Sequence, residues 1–205
     1  LSNAEAALRF LKKPEIDRAE LTEILQDIVA ADERAGLVIR RLRLLFGKGK
    51  AQLEPLDVDE VVADVLKIMH GELLTRSVRV AQELEPDLRP VMGDRVQLQQ
   101  VLLNLITNAI DAMIEKPESE RRLWVRTEGI NGAAVRVSVR DSGHGLEDEE
   151  RTRIFEPFFT TKKHGLGLGL AVCRTILAAH GSELHAENHR EGGASFHFTL
   201  PIAMR

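Results

Sequence analysis

The chain has 205 residues, of which 43% are hydrophobic and 29% are charged, as in an ordinary globular protein. Its net charge of −4 excludes a general attraction to nucleic acid or anionic membranes, so phosphate would have to be bound locally. The single Cys173 excludes an internal disulfide, and no apolar run reaches the roughly 18 residues of a membrane helix. We therefore expect a cytoplasmic protein without nucleic-acid or membrane contact, whether or not a longer parent protein is membrane-anchored.

The first 46 residues are predicted to form a helical hairpin. Residues 1–12 read as the end of one helix, and Asp17 with Glu20 forms a capping box for the next. The second helix carries an apolar seam spaced alternately by three and four residues: Leu21, Ile24, Ile28, Ala31, Ala35, Val38, Leu42 and Leu45. This seam predicts a four-helix bundle made by two chains, and hence a homodimer. A helical linker packed on its own domain is the alternative.

Residues 47–52 are predicted to be a linker, and residues 53–205 a second domain. Helices are predicted at 57–70, 94–113 and 169–180. Strands are predicted at 53–56, 77–83, 91–92, 123–127, 134–140, 184–188 and 195–200, with a hairpin turn at 129–132. Because strands and helices do not alternate regularly, we expect an α+β fold, a two-layer α/β sandwich with a mixed sheet and helices on one face.

A polar stripe runs along the second of these helices. Its members are spaced by four, four and three residues, which places them on one side of the helix: Gln100, Asn104, Asn108 and Asp111. The stripe could be a solvated surface. However, no lysine or arginine follows Arg95 in this helix, and amide and carboxylate oxygens suit Mg²⁺ held mainly through the phosphates of a ligand.

Two glycine clusters flank a loop that contains Lys162 and Lys163. The first is Asp141-Ser-Gly-His-Gly-Leu146, and the second, Gly165-Leu-Gly-Leu-Gly-Leu170, runs into an apolar helix. Glycines let backbone approach a ligand closely, and a helix N-terminus offers free N–H groups to an anion. The pattern therefore predicts a nucleotide pocket, although the two lysines could be a solvated charge pair.

Five segments resemble the sequence boxes of sensor histidine kinases, in that family's order. Val101-Leu-Leu-Asn-Leu-Ile-Thr-Asn-Ala-Ile-Asp-Ala-Met113 resembles the N box, and Asp141-Ser-Gly-His-Gly145 the first glycine box. Phe155-Glu-Pro-Phe-Phe-Thr160 resembles the F box, Gly165-Leu-Gly-Leu-Gly169 the second glycine box, and Gly192-Gly-Ala-Ser-Phe196 the glycine segment before the last strand. The residues of the F box and the second glycine box are most similar to those of the kinases that regulate nitrogen fixation, nitrogen assimilation and dicarboxylate uptake. Residues 1–46 look like the family's dimerisation and phosphoacceptor hairpin.

The resemblance implies an ATP site of the kind shared by gyrases, chaperones and histidine kinases. Asp141 would accept a hydrogen bond from the adenine amino group, with Gly143, Gly145 and Leu146 beside the base and Thr199 lining the adenine side. Asn108 would ligate a Mg²⁺ ion that bridges the phosphates. Asn104 would lie beside Asn108, and Asp111 with Ala112 would face the nucleotide.

The resemblance also implies a lid over ATP, formed by residues 147–165. Lys162 or Lys163 would neutralise the γ-phosphate, so Asn104 and Lys162 are the candidate catalytic residues. The second cluster would lead the phosphates to the N-terminus of the following helix through Gly165, Gly167, Leu168, Gly169 and Leu170.

The implied activity is transfer of the γ-phosphoryl group of ATP to a histidine, and then to the receiver domain of a response regulator. Phosphoryl transfer needs an aligned γ-phosphate and neutralisation of its charge more than covalent chemistry by the protein. The alternatives are an ATPase of the same fold without histidine kinase activity, and a non-enzymatic phosphotransfer adaptor whose nucleotide site has degenerated.

The phosphoacceptor is the part of this pattern that the sequence lacks. None of the seven histidines stands in the family's His-Glu-x-x-x-Pro context. His144 replaces a proline often seen in the first glycine box, and His164 precedes the second. The others are expected to be ordinary surface or core residues: His70, His180, His185, His189 and His197. We expect the acceptor about three helical turns upstream of Leu1, so that this fragment binds ATP but does not phosphorylate itself.

Overall fold

The structure, a computed structural model, describes residues 11, 18–19, 21–29, 51–147, 150–162 and 166–203. The chain divides into two compact units, Leu1–Gly47 and Lys48–Arg205. In the first unit residues 21–29 are helical, as the seam predicts, and Leu25 and Val29 are 49% and 58% exposed. Apart from residues 11 and 18–19, the remainder of the predicted hairpin lies outside the described residues, as do residues 47–50 of the predicted linker. The assignment of a dimerisation hairpin stays a prediction.

The second unit contains, within its described residues, seven strands and four α-helices. In chain order they are β1 (Glu54–Leu56), α1 (Val58–Thr75), β2 (Arg79–Leu84), β3 (Val91–Gly93), α2 (Arg95–Ala112), β4 (Arg122–Ile130), β5 (Ala134–Asp141), α3 (Glu150–Arg153), α4 (Gly169–Ala179), β6 (His185–Asn188) and β7 (Ala194–Pro201). Each element predicted for this unit is present. The short α3 was not predicted, and α1 continues past His70 to Thr75.

Five of the strands form one mixed sheet in the order β2-β4-β5-β7-β6. The pair β2–β4 is parallel and the other pairs are antiparallel, while β1 and β3 form a separate two-stranded antiparallel sheet. The predicted α+β class with a mixed sheet is confirmed. Among the described residues, no helix has the length and apolar character required to cross a membrane.

The β4–β5 hairpin turns later than the sequence predicts. Gly129 belongs to β4 and pairs with Val135, so the connection is the three residues between Ile130 and Ala134. Asn131 and Gly132 have φ angles of 50° and 64°, and both residue types tolerate this left-handed conformation. The prediction correctly included Asn131 and Gly132 in the turn, but the strand pairing extends further than the position of Gly129 suggested.

One face of the sheet is packed against helices. Directly paired residues on this face are fully or nearly fully buried: Val135, Val137 and Val139 in β5 against Leu200, Phe198 and Phe196 in β7. Helix α2 contacts α1, α4, β4 and β5, which places it in the middle of the helical layer. Because strand side chains alternate between faces, Asp141 follows Val139 on the buried side of β5. A carboxylate therefore ends a row of buried valines.

The start of α2 is tied to the end of α4 by His180. The predicted cap is confirmed, because the Asp94 side chain accepts a hydrogen bond from the Gln97 N–H at 3.2 Å. His180 is 2% exposed, and its Nε2 accepts from the Asp94 N–H at 2.9 Å. Its Nδ1 lies 2.8 Å from the Ile176 carbonyl oxygen, so the imidazole is neutral with its proton on Nδ1. This histidine is a core residue, as expected.

His180→Ala is expected to lower the free energy of unfolding by about 2 kcal/mol or more, because a buried donor or acceptor left without a partner costs about 1–3 kcal/mol. Urea unfolding followed by circular dichroism checks this. His70→Ala, at an exposed position of α1, is the control and should change stability by less than about 0.5 kcal/mol. Equal midpoints for the two variants would contradict the structural role of His180.

Candidate functional site

Asp141 is a buried carboxylate held by two separate loops. Its residue is 2% exposed, and its Oδ1 accepts hydrogen bonds from the Gly143 N–H at 2.8 Å and the Ala194 N–H at 3.3 Å. Burial raises the pKa of Asp141 above its ordinary value, and these two backbone donors oppose the rise, as do nearby His144 and His189. Both described hydrogen bonds end on Oδ1, so Oδ2 is left for another donor.

The glycines around Asp141 are required by the packing of the chain itself. A Cβ at Gly143 would lie 2.6 Å from the Ala112 carbonyl oxygen. A Cβ at Gly193 would overlap the carbonyl oxygen of Asp141, and Gly193 also has a φ of 84°. At these two positions there is therefore no room for a side chain even without a ligand, whereas the sequence predicted that Gly143 is small in order to admit the adenine base.

The polar stripe of α2 contacts two segments that are distant in sequence, the start of α4 and the loop that carries Lys162. Asn104 is 6% exposed, and its Nδ2 donates to the Gly169 carbonyl at 3.5 Å, at the start of α4. Asn108 Oδ1 accepts from Lys162 Nζ at 2.8 Å. One turn further, Asp111 Oδ2 lies 2.6 Å from the same Nζ. The interpretation of the stripe as a solvated surface therefore does not hold for the buried Asn104, whereas Asn108 and Asp111 bind Lys162 at the surface of the chain.

Lys162 is bound by the stripe and is not merely a solvated charge. Its ammonium group contacts an amide oxygen and a carboxylate oxygen at once, while the lysine and Asp111 side chains each keep about two fifths of their surface exposed, at 41% and 42%. A surface ion pair of this kind contributes little to stability. The arrangement does show, however, that Asn108 and Asp111 together can hold a cation.

The second glycine cluster leads into α4, which begins at Gly169 with the buried Leu168 as its cap residue. No side chain among the described residues caps this helix, so its first N–H groups are available to an anion. Gly167 has a φ of 63°, its carbonyl accepts from the Phe158 N–H at 2.9 Å, and a Cβ there would overlap the Phe159 carbonyl oxygen. Gly165, Lys163 and His164 lie outside the described residues.

Thr199 is not brought to this group. It pairs with Arg136, five positions before Asp141 in β5, or about 16 Å along a strand. In β7 the residues that face the helices are Ala194, Phe196, Phe198 and Leu200, so period-two alternation turns Thr199 to the opposite face. The family resemblance implied that Thr199 lines the adenine side, but in this structure Thr199 lies on the face of β7 opposite to the helices and far from Asp141.

Asn188 is a site residue that sequence reasoning missed. Its Nδ2 donates to the Leu146 carbonyl at 2.7 Å, and its Oδ1 accepts from the Leu146 N–H at 2.8 Å. The two residues are 42 positions apart, so no local pattern joins them. The one available signal was an asparagine at the end of a predicted strand, shortly before Gly192.

Oxygen atoms suited to a hard cation are present, but few. Within the described residues there is no group of three or more His, Cys, Asp or Glu side chains that could enclose a metal ion. Asn108 Oδ1, with Asp111 beside it, fits an ion that takes most of its ligands from phosphates and water, as Mg²⁺ usually does.

Comparison with known families identifies the class of this domain. The family model described as "Histidine kinase-, DNA gyrase B-, and HSP90-like ATPase" matches residues 93–204. The match covers more than half of the chain and includes Asp141, the polar stripe and both glycine clusters. The chain belongs to this ATPase family.

Within that family the relatives are sensor kinases. The chain is 37% identical over 201 residues to the C4-dicarboxylate transport sensor protein DctS of Rhodobacter capsulatus, covering 98% of this chain and 30% of that protein. It is 36% identical over 170 residues to the sensor protein FixL of Bradyrhizobium diazoefficiens, covering 83% and 33%. The chain thus spans about a third of the length of these relatives. The predicted resemblance to sensor histidine kinases is confirmed.

Solved structures agree. The catalytic domain of histidine kinase ThkA is 34% identical with a TM-score of 0.66, over 74% of this chain and 98% of that one. Full-length ShkA in complex with AMPPNP is 26% identical with a TM-score of 0.78, over 98% and 42%. ThkA in complex with the response regulator protein TrrA is 25% identical with a TM-score of 0.72, over 98% and 57%.

Asp141→Asn is expected to stabilise the fold at neutral pH. Because burial raises the pKa of Asp141 above 3.8, the wild-type chain loses stability as the pH rises through that raised pKa. Asparagine keeps an acceptor oxygen but does not ionise. Each pH unit by which the pKa is raised corresponds to about 1.4 kcal/mol.

Urea unfolding between about pH 4 and about pH 8 measures this difference. The variant should gain over wild type as the pH rises and lose that gain toward about pH 4. Glu83→Gln, which changes an exposed carboxylate of β2, is the matched control and should show no such trend. A difference between Asp141→Asn and wild type that does not depend on pH would contradict the assignment.

Proposed function

We propose that this chain is the ATP-binding catalytic part of a sensor histidine kinase, together with part of its dimerisation hairpin. In this proposal it binds Mg-ATP, transfers the γ-phosphoryl group to a histidine outside this chain, and thereby supplies a response regulator. The observation that carries the proposal is the contact pattern of α2. Within three turns the helix meets the start of α4 through Asn104 and the loop lysine through Asn108 and Asp111. The backbone carbonyl of Ala112 lies against Gly143 of the first glycine cluster.

The adenine end is the Asp141 side of this arrangement. With Oδ1 engaged by Gly143 and Ala194, Oδ2 would accept from the exocyclic amino group, which selects adenine over a base with a carbonyl at that position. Gly145 and Leu146 would border the base. A carboxylate fixed by backbone donors needs no rearrangement when the base arrives, so little entropy is lost on binding.

The phosphate end lies along α2 toward α4. The backbone from Gly167 through Leu168 and Gly169 to Leu170 would direct phosphates to the helix N-terminus. Lys162 would exchange its present partners for the γ-phosphate and neutralise charge there. Asn108 would help to hold Mg²⁺, which when bound neutralises and orients the phosphates. Residues 147–165 would form the lid, and Asn104 would stay beside the reacting phosphate as the second candidate catalytic residue.

The partners follow from the same reasoning. ThkA is seen with a response regulator protein, which supports a receiver domain as the partner of this chain. A homodimer through the helical hairpin is supported by the heptad spacing of the apolar seam, of which Leu21, Ile24 and Ile28 lie in the described helix 21–29.

Asn108→Ala is expected to weaken Mg²⁺-dependent ATP binding by at least about tenfold, because it removes an oxygen ligand without disturbing the core. Displacement of a fluorescent adenine nucleotide, with Mg²⁺ and with a chelator, measures this. Chelation should weaken binding to the wild type much more than to the variant. Val96→Ala, an exposed position of the same helix, is the control.

The same titration separates the proposal from its alternatives. An affinity of Asn108→Ala equal to that of the wild type would remove the metal role from this residue. No measurable nucleotide binding by the wild type would favour a phosphotransfer adaptor.

A longer version of the protein that extends upstream of Leu1 is expected to take up label from γ-labelled ATP, whereas residues 1–205 alone should not. The label should be lost in acid and kept in base, since a phosphoramidate on imidazole hydrolyses in acid. Asp141→Asn in the longer protein should abolish labelling. ATP hydrolysis without labelled protein would favour an ATPase of the same fold, and an acid-stable label would contradict transfer to histidine.

A further inference from the structure

We infer that Asn188 is a positioning residue for nucleotide binding, which acts by fixing the hinge at the start of the lid. The hinge is Leu146, where the first glycine cluster ends and the segment 147–162 begins. The inference rests on the proposed function, because it concerns the same site and its lid.

The contact between Asn188 and Leu146 uses both polar atoms of one amide group. The Nδ2–O distance of 2.7 Å and the N–Oδ1 distance of 2.8 Å are both short. An asparagine amide carries an N–H donor and an oxygen acceptor in one planar group, as a backbone peptide does, and a glutamine would be one methylene longer. Asn188 therefore binds the backbone of Leu146 as a neighbouring strand would, although Leu146 belongs to no strand.

Gly145 is shaped to permit this contact. It has a φ of 79°, and a Cβ there would lie 3.0 Å from Asn188 Oδ1. A side chain at this position would thus strain the backbone and press on the amide group that holds the next residue. The glycine gives access to Leu146 for Asn188, so its small size has a reason within the chain.

The β6–β7 turn holds both ends of the first glycine cluster. At one end the Ala194 N–H donates to Asp141 Oδ1 at 3.3 Å, and at the other Asn188 holds Leu146. The turn itself is closed by the His189 N–H, which donates to the Gly193 carbonyl at 3.1 Å. One hairpin therefore holds the loop at both ends, at the carboxylate of Asp141 and at the hinge.

The position of Asn188 separates this role from a general contribution to the core. The residue is exposed, so truncating its side chain opens no apolar cavity. What its removal frees is the backbone of Leu146, directly before the segment that would cover the nucleotide. At the far end of that segment, the Phe158 N–H is held by the Gly167 carbonyl at 2.9 Å, which Asn188 does not affect. Freeing one anchored end should let the nucleotide leave sooner.

The test compares Asn188→Ala, Asn188→Asp, the wild type and Glu187→Ala, the last changing the neighbouring exposed residue of β6. Stopped-flow release of a fluorescent ADP from Asn188→Ala should be about tenfold faster than from the wild type, as expected for the loss of two hydrogen bonds. Its association rate should stay within about twofold. Limited trypsin digestion without nucleotide should cut faster within residues 147–162. Glu187→Ala should match the wild type in both.

Asn188→Asp adds a pH readout that a merely structural role would not give. At neutral pH its carboxylate oxygen meets the Leu146 carbonyl oxygen without a proton between them, so release should be fast. As the pH falls toward about 4, near the ordinary pKa of an aspartic acid, the carboxyl group takes up a proton and can donate again. The ratio of its release rate to that of the wild type should then fall, while the ratio for Asn188→Ala should stay constant.

Three results would overturn the inference. The first is an ADP release rate of Asn188→Ala within twofold of the wild-type rate, and the second is an equal rate of trypsin cleavage in these two proteins. The third is a melting temperature of Asn188→Ala lowered by more than about 5 °C without nucleotide, because Asn188 would then stabilise the fold in general. If the wild type binds no nucleotide, the proposed function fails instead. The trypsin comparison then still decides whether Asn188 holds the segment.

Discussion

The buried carboxylate of Asp141 is the constraint on which the arrangement of the site depends. It occupies a position in β5 whose period would otherwise place another apolar side chain, and burial opposes its ionisation. Backbone donors from two loops compensate in part, and both loops must come very close to deliver them. That closeness explains why glycine stands at 143 and 193, where any side chain would overlap backbone atoms. The strand end is therefore less stable than an apolar residue would make it, but it carries a buried acceptor whose position is fixed by backbone donors.

Helix α2 connects the other parts of the site because its two sides have different roles. One side supplies core residues such as Leu98, Leu102 and Leu105, which fix the helix against the sheet. The other side presents amide and carboxylate oxygens at helical spacing to loops that come from distant parts of the sequence. Since the helix is rigid and centrally packed, the distances among those oxygens are set by the core. The Lys162 ammonium and a metal ion would both be attracted to the same two oxygens, so the lysine and the nucleotide-bound cation are expected to compete there.

Features of the fold and of the site could be predicted from the sequence where the pattern that indicates them lies within one short segment. Hydrophobic periodicity and the Asp94 cap predicted the helices and strands. The glycine clusters with the polar stripe predicted a site, and the structure brings several of its residues into contact. The sequence was less informative about which face of a strand a residue lies on and about which distant segments pair. The position of Thr199 could be predicted only by knowing which residues in β7 face the helices. The position of the β4–β5 turn depended on how far the strand pairing extends beyond Gly129. Asn188 needed the pairing of two segments that no local pattern connects.

The origin of the glycines changes how experiments on this family of sites are to be interpreted. A glycine in a nucleotide loop is usually explained by the close approach of the ligand, so loss of binding after its replacement is taken as a sign of contact. Here Gly143, Gly167 and Gly193 are each in contact with backbone atoms of the chain itself. Replacing any of them would displace the loops, and the Asp141 carboxylate with them, whether or not the glycine touches a nucleotide. Only a substitution that keeps the packing and changes one polar group, as at Asp141, Asn108 or Asn188, can separate recognition from folding.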